Sequence, residues 1–146
     1  MTDHPETYEI RIVPVKVPAK GIEIKTAIDL KDVVKKISKA HEEQTLVVSI
    51  DAQYCLINSR IISIGSESDG VTELRAIFRG AVRDNAKCII HVHTHPSGNC
   101  FPSAVDERFY RNLEKACDVL DIRLLDCLIV CPNGSMFSRA GDTRVL

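Results

Sequence analysis

The stretch that most constrains this chain is His93-Thr94-His95-Pro96-Ser97-Gly98-Asn99-Cys100-Phe101-Pro102-Ser103-Ala104-Val105-Asp106. The apolar run Ala86-Lys87-Cys88-Ile89-Ile90 precedes it, and residues Glu107 to Leu113 after it read as a helix. It is therefore a strand, a Pro/Gly-rich loop and a helix start. Residues two apart on a strand share a face, so His93 and His95 present two imidazoles to one point. Ser103-x-x-Asp106 ahead of a helical pattern is a capping-box-like start, which puts Asp106 in the first helical turn. A short loop can fold that turn back over the strand end. The expected metal ligands are His93, His95 and Asp106. Three protein ligands with one open position is the pattern of a catalytic zinc site, whose bound water has a pKa of roughly 7.

At 146 residues, one domain spanning 1–146 is expected. The formal net charge of −1 gives no basic field, so direct nucleic-acid binding by charge is not expected. None of the six cysteines, Cys55, Cys88, Cys100, Cys117, Cys127 and Cys131, forms a CxxC pair. Most lie in apolar patterns and read as reduced core residues of a cytosolic protein. The start, Met1 to Glu6, is polar and acidic, and no apolar run approaches the roughly 18 residues of a membrane span. A cytoplasmic protein without a leader is the expectation.

Residues 8 to 18 alternate apolar and polar types and read as an edge strand, because Pro14 and Pro18 cannot donate to a ladder. Pairing through that edge would give homo-oligomers. Asp29 opens an expected helix from Leu30 to Ala40, with Leu30, Val33, Val34 and Ile37 on one face. A hairpin follows, from strands Thr45 to Ile50 and Tyr54 to Ile64, with Ile57, Ile61 and Ile62 buried. Thr72 caps an expected helix from Glu73 to Asn85, with Leu74, Ile77, Phe78, Ala81 and Val82 on one face. Ala86 to Val92 is the strand that leads into the motif. The helix 104–120 turns Phe109, Leu113, Ala116, Cys117 and Leu120 inward. Leu124 to Cys131 and Ser135 to Ser138 close the chain as strands. Five or six strands and three helices in mixed order predict an α/β fold, a mixed central sheet flanked by helices.

The spacing H-x-H, seven residues, Ser, two residues, Asp resembles the JAMM (MPN-plus, JAB) metalloprotease family, with every interval matched from His93 to Asp106. His-Pro-Ser-Gly followed by Pro-Ser-x-x-Asp looks like its RadC branch. That branch usually has Asn where this chain has Thr94. The segment Leu124-Leu125-Asp126-Cys127-Leu128-Ile129-Val130 resembles one usually reading L-L-D-H-L-I-V, with Cys127 in place of histidine. The likeness covers roughly residues 42 to 140. It implies the cytidine-deaminase-like (JAB/MPN) fold, with residues 1–28 as an N-terminal edge strand and lead-in. The chain has no room for the helix-hairpin-helix region that RadC proteins often carry.

The resemblance also implies a zinc hydrolase of peptide, isopeptide or related amide bonds. Such a site needs a base for the water proton. Counting eight residues back from Asp51, as RadC-like chains suggest, gives Glu43 as that base, with Glu42 next. Ser103 either caps the helix or steadies the oxyanion, one hydroxyl serving two uses. His91 is a second partner of the site or a buried, satisfied histidine. Cys100 is a loop cysteine or a redox-sensitive ligand. Asp126 orients a histidine or pairs with backbone donors. The alternative function is a RadC-like metal-binding accessory module in DNA repair or recombination, without strong catalysis of its own. A zinc deaminase is disfavoured, since H-x-E…P-C-x-x-C is missing.

Overall fold

The structure is a computed structural model that describes residues 22–64 and 70–141. The strand expected at 8 to 18 and most of the polar loop before the second helix lie outside the described residues. A 3-10 turn, Ala27–Leu30, leads into α1, Lys31–Ser38. Strands β1 (Gln44–Ile50) and β2 (Leu56–Ile64) follow, then α2 (Gly70–Arg83), β3 (Cys88–Thr94), α3 (Ala104–Leu120), β4 (Arg123–Val130) and β5 (Met136–Ser138). The sheet order is β2-β1-β3-β4-β5. β1 runs antiparallel to both β2 and β3, and β5 antiparallel to β4. β3 and β4 are parallel, joined by the α3 crossover that a parallel pair requires. The expected mixed sheet flanked by helices is what forms.

Strand alternation assigns β3 to two cores. Cys88, Ile90 and Val92 pack with Leu30, Val34 and Ile37 beside α1. Ile89 packs on the other face with Ile77 and Ala81 of α2 and Leu113 and Cys117 of α3. His91 and His93 continue that second face, so the motif histidines project from the middle of the sheet toward α3. Arg60, 6% exposed on β2, donates a fork of hydrogen bonds to Asp84 after α2. A Cβ on Gly80 would lie 2.9 Å from the Arg60 Nη1, so glycine keeps that guanidinium in place.

Several local expectations are corrected. Asp29 does not cap α1. Its Oδ2 accepts the Lys25 and Thr26 N–H groups at 2.8 Å each and closes the 3-10 turn instead. α2 begins at Gly70, so Thr72 lies inside it, and Asn85 takes the left-handed conformation (φ 51°) that ends the helix. Val82 faces outward. On α3, Leu120 is exposed at the last turn and Tyr110 takes the inward place, because the stripe centres on Tyr110, Leu113 and Cys117. Ile57 and Ile61 are exposed, since β2 is the outermost strand of the described sheet. Among the described residues, no helix is long and apolar enough to cross a membrane.

Candidate metal centre

Three elements meet at the C-terminal end of β3. The β1–β3 ladder pairs Thr45 with His93, which carries the lead-in residue Glu43 to the same edge. Glu43 Oε2 lies 3.5 Å from His93 Nε2. Glu43, His93 and His95 each offer a ligand atom within 4.8 Å of the others. Asp106 joins through His95, with Oδ2 3.1 Å from His95 Nε2. The structure thus brings Glu43, His93, His95 and Asp106 together, with the tight triad built on Glu43 rather than Asp106. Glu42 is exposed and Glu43 half-buried, which separates the two acids.

The two rings stand perpendicular, centroids 5.0 Å apart. His95 Nδ1 donates to the Asn99 carbonyl at 2.7 Å, which turns Nε2 toward the carboxylates. Among the described residues, His93 Nε2 is buried without a hydrogen-bond partner. Burial is the largest influence on His93 and holds its pKa below the ordinary imidazole value, with His91 adding to the effect against Asp106 and Glu43. The Asp106 hydrogen bond raises the pKa of His95. Burial acts against the Asp106 carboxylate, yet the His95 bond and the Ser103 N–H and hydroxyl outweigh it. The net result is a pKa far below the usual carboxylate range.

Ser103 and Asp106 form a complete capping box. The Ser103 hydroxyl accepts the Asp106 N–H at 3.1 Å, and Asp106 Oδ2 accepts the Ser103 N–H at 2.9 Å. The hydroxyl accepts in the cap and also steadies the Asp106 carboxylate, so capping and any donation to substrate draw on the same group.

His91 is 1% exposed, with Nε2 3.3 Å from Glu73 Oε1 and its ring against Phe109 and Tyr110. It is a buried histidine with a partner, beneath the Glu43–His93–His95 cluster. Glu73 was not legible as that partner, since no local pattern links a helix acid to a strand eighteen residues on. Asp126 pairs with backbone donors, accepting Cys127 N–H at 2.7 Å and Ala140 N–H at 2.9 Å, and also takes the Ser138 hydroxyl. Cys127, where the RadC pattern has histidine, is buried, and that burial pushes its thiol above the ordinary range, away from a thiolate ligand.

The expectation of six reduced cysteines fails at one pair. Cys100 and Cys131 are disulfide-bonded, with Cα atoms 5.8 Å apart. The parallel β3–β4 pairing brings the metal loop beside the end of β4, a contact that sequence spacing does not reveal. Cys55, Cys88, Cys117 and Cys127 are free.

Comparison with known proteins places these residues in a family context. A family model described as RadC-like JAB domain matches residues 24–143. The chain is 32% identical over 106 residues to a UPF0758 protein of Finegoldia magna, covering 73% of this chain and 48% of the relative. It is 34% identical over 114 residues to one of Chlorobaculum tepidum, covering 77% and 51%. It is 38% identical over 107 residues to one of Burkholderia cenocepacia, covering 73% and 42%. The chain spans about half the length of the curated relatives it matches.

Proposed function

This chain belongs to the RadC-like JAB domain family, and from that premise we propose that it is a zinc-dependent hydrolase of JAMM type, acting on a peptide, isopeptide or related amide bond. One observation carries the reading. His93 Nε2 is buried with no hydrogen-bond partner among the described residues, yet it faces Glu43 and stands within ligand spacing of His95. A buried polar nitrogen left unpaired costs about 1–3 kcal/mol, and a cation among these donors removes that cost. Two imidazoles and carboxylates are a donor set that suits zinc. His93, His95 and Asp106 would hold the ion, with Glu43 beside them.

Zinc bound there would polarise the amide carbonyl and lower the pKa of water. The protein's own groups supply the rest. Glu43 takes a proton from the attacking water at its carboxylate and gives it to the leaving nitrogen as the C–N bond breaks. Its half-buried place at the edge of β1 keeps it beside the histidines while leaving it open to substrate. The Ser103 O–H donates to the carbonyl oxygen as charge develops there. The Asn99 carbonyl holds His95 in one tautomer, so that Nε2 stays turned inward.

A cytoplasmic setting is part of the proposal; the four free cysteines fit it, while the Cys100–Cys131 disulfide speaks against it. The test is a panel of peptide and isopeptide amides, incubated with zinc-loaded protein and with Glu43→Gln. Turnover by the wild type that the variant lacks supports the reading. Zinc retained with no turnover on any amide contradicts it and favours the accessory module.

A further inference from the structure

We propose that Thr94, the residue between the two motif histidines, is the positioning residue that sets Glu43 in the site. Thr94 ends β3 and is 1% exposed. Alternation turns it to the opposite face from His93, so it is not itself a ligand. Its Oγ1 accepts the Gln44 N–H at 2.7 Å. The carbonyls of Glu42 and Gln44 both lie 3.5 Å from the same hydroxyl, and either can accept its proton. One buried side chain thus holds the backbone on both sides of Glu43.

The location gives this contact its consequence. The β1–β3 ladder makes its last rung at Thr45 and His93. Gln44 is also paired with Ile64 of β2, and Glu43 lies one residue beyond both ladders. The Thr94 hydroxyl supplies a side-chain bond to the next residue along, Gln44. With Gln44 fixed, the chain presents Glu43 to His93 at 3.5 Å and leaves Glu42 outward. The same bond therefore decides which of two adjacent acids faces the histidines. Valine at 94 would keep the shape and lose the hydroxyl that the half-buried Gln44 N–H donates to.

The inference rests on the reading of Glu43, His93 and His95 as an ion site, and the experiment separates the two. In metal-free wild-type protein, amide hydrogen exchange of Gln44 should be as slow as that of the β1 ladder amides. In Thr94→Val it should speed at least tenfold, and in Thr94→Ser it should not. Zinc affinity, measured by calorimetric titration with zinc alone, should fall about tenfold in Thr94→Val and recover in Thr94→Ser, in the range seen for supporting residues of metal sites. In a Glu43→Gln background, Thr94→Val should lower zinc affinity no further. Fast Gln44 exchange in the wild type overturns the clamp even if no variant folds. Faster exchange with unchanged zinc affinity, or an equal loss in the Glu43→Gln background, overturns the positioning role. Wild-type protein that takes up no zinc sinks the reading of the site, while Gln44 exchange still decides the clamp.

Discussion

Glu43 Oε2 and His93 Nε2 stand 3.5 Å apart at the open end of the β1–β3 pair. One comes from the lead-in to a strand and the other from the strand beside it. A half-buried carboxylate at that distance from an imidazole is placed to move protons. Replacing it by an amide keeps the size and removes the base. Glu43→Gln is expected to lower amide turnover by about 10²–10⁴-fold, the usual range for a lost general base, with zinc still bound at saturating concentration. Steady-state rates beside elemental analysis check this. Unchanged turnover would assign the base elsewhere.

The capping box ties helix stability to ligand placement. Ser103→Ala removes the hydroxyl that accepts the Asp106 N–H and is expected to cost about 1 kcal/mol of folding stability. Ser103→Thr should restore most of it. Urea unfolding of the zinc-free variants measures both. Equal stability of Ser103→Ala and wild type would mean the cap contributes nothing.

The His95–Asp106 pair predicts a pH dependence in zinc-free protein. Asp106 has a lowered pKa when folded, so its contribution is present above the ordinary aspartate value of 3.8 and is lost as pH falls. His95 has a raised pKa, so its contribution is complete below the ordinary imidazole value of 6.5 and is lost as pH rises through the folded value. The pair should therefore stabilise most between those two values. The stability difference between wild type and Asp106→Asn, from urea midpoints across pH, is expected to be largest between about 3.8 and 6.5 and to shrink as the pH rises above 6.5. A difference that does not vary with pH contradicts it. Zinc must displace the His95 proton, so zinc affinity should rise with pH over the same upper range.

How much of this was legible in the sequence varies from residue to residue. The α3 boundaries were, because Ser103 and Asp106 carry their own capping chemistry and the helical stripe begins directly after them. The nearness of His93 and His95 was, because it needs only strand alternation. Asp29 misled, because a capping residue serves a 3-10 turn as readily as the helix behind it. Phe109 packs inward as expected, but Tyr110 was passed over and Leu120 is exposed, since a helical stripe fixes the buried face only to within a residue. The Cys100–Cys131 bond, the His91–Glu73 pair and the Thr94–Gln44 bond were beyond reach. Each depends on which strands lie side by side, and a long-range partner leaves no mark on local spacing. Glu43 was singled out only by family spacing; the structure sets it 3.5 Å from His93 and leaves Glu42 exposed.

The most direct test of the central claim is the zinc content of purified, tag-free protein by elemental analysis, beside His93→Ala checked for folding by circular dichroism. The account predicts about one zinc per chain in the wild type, as in a catalytic site, and close to none in the folded variant. No zinc in the wild type, or equal zinc in both proteins, would contradict it.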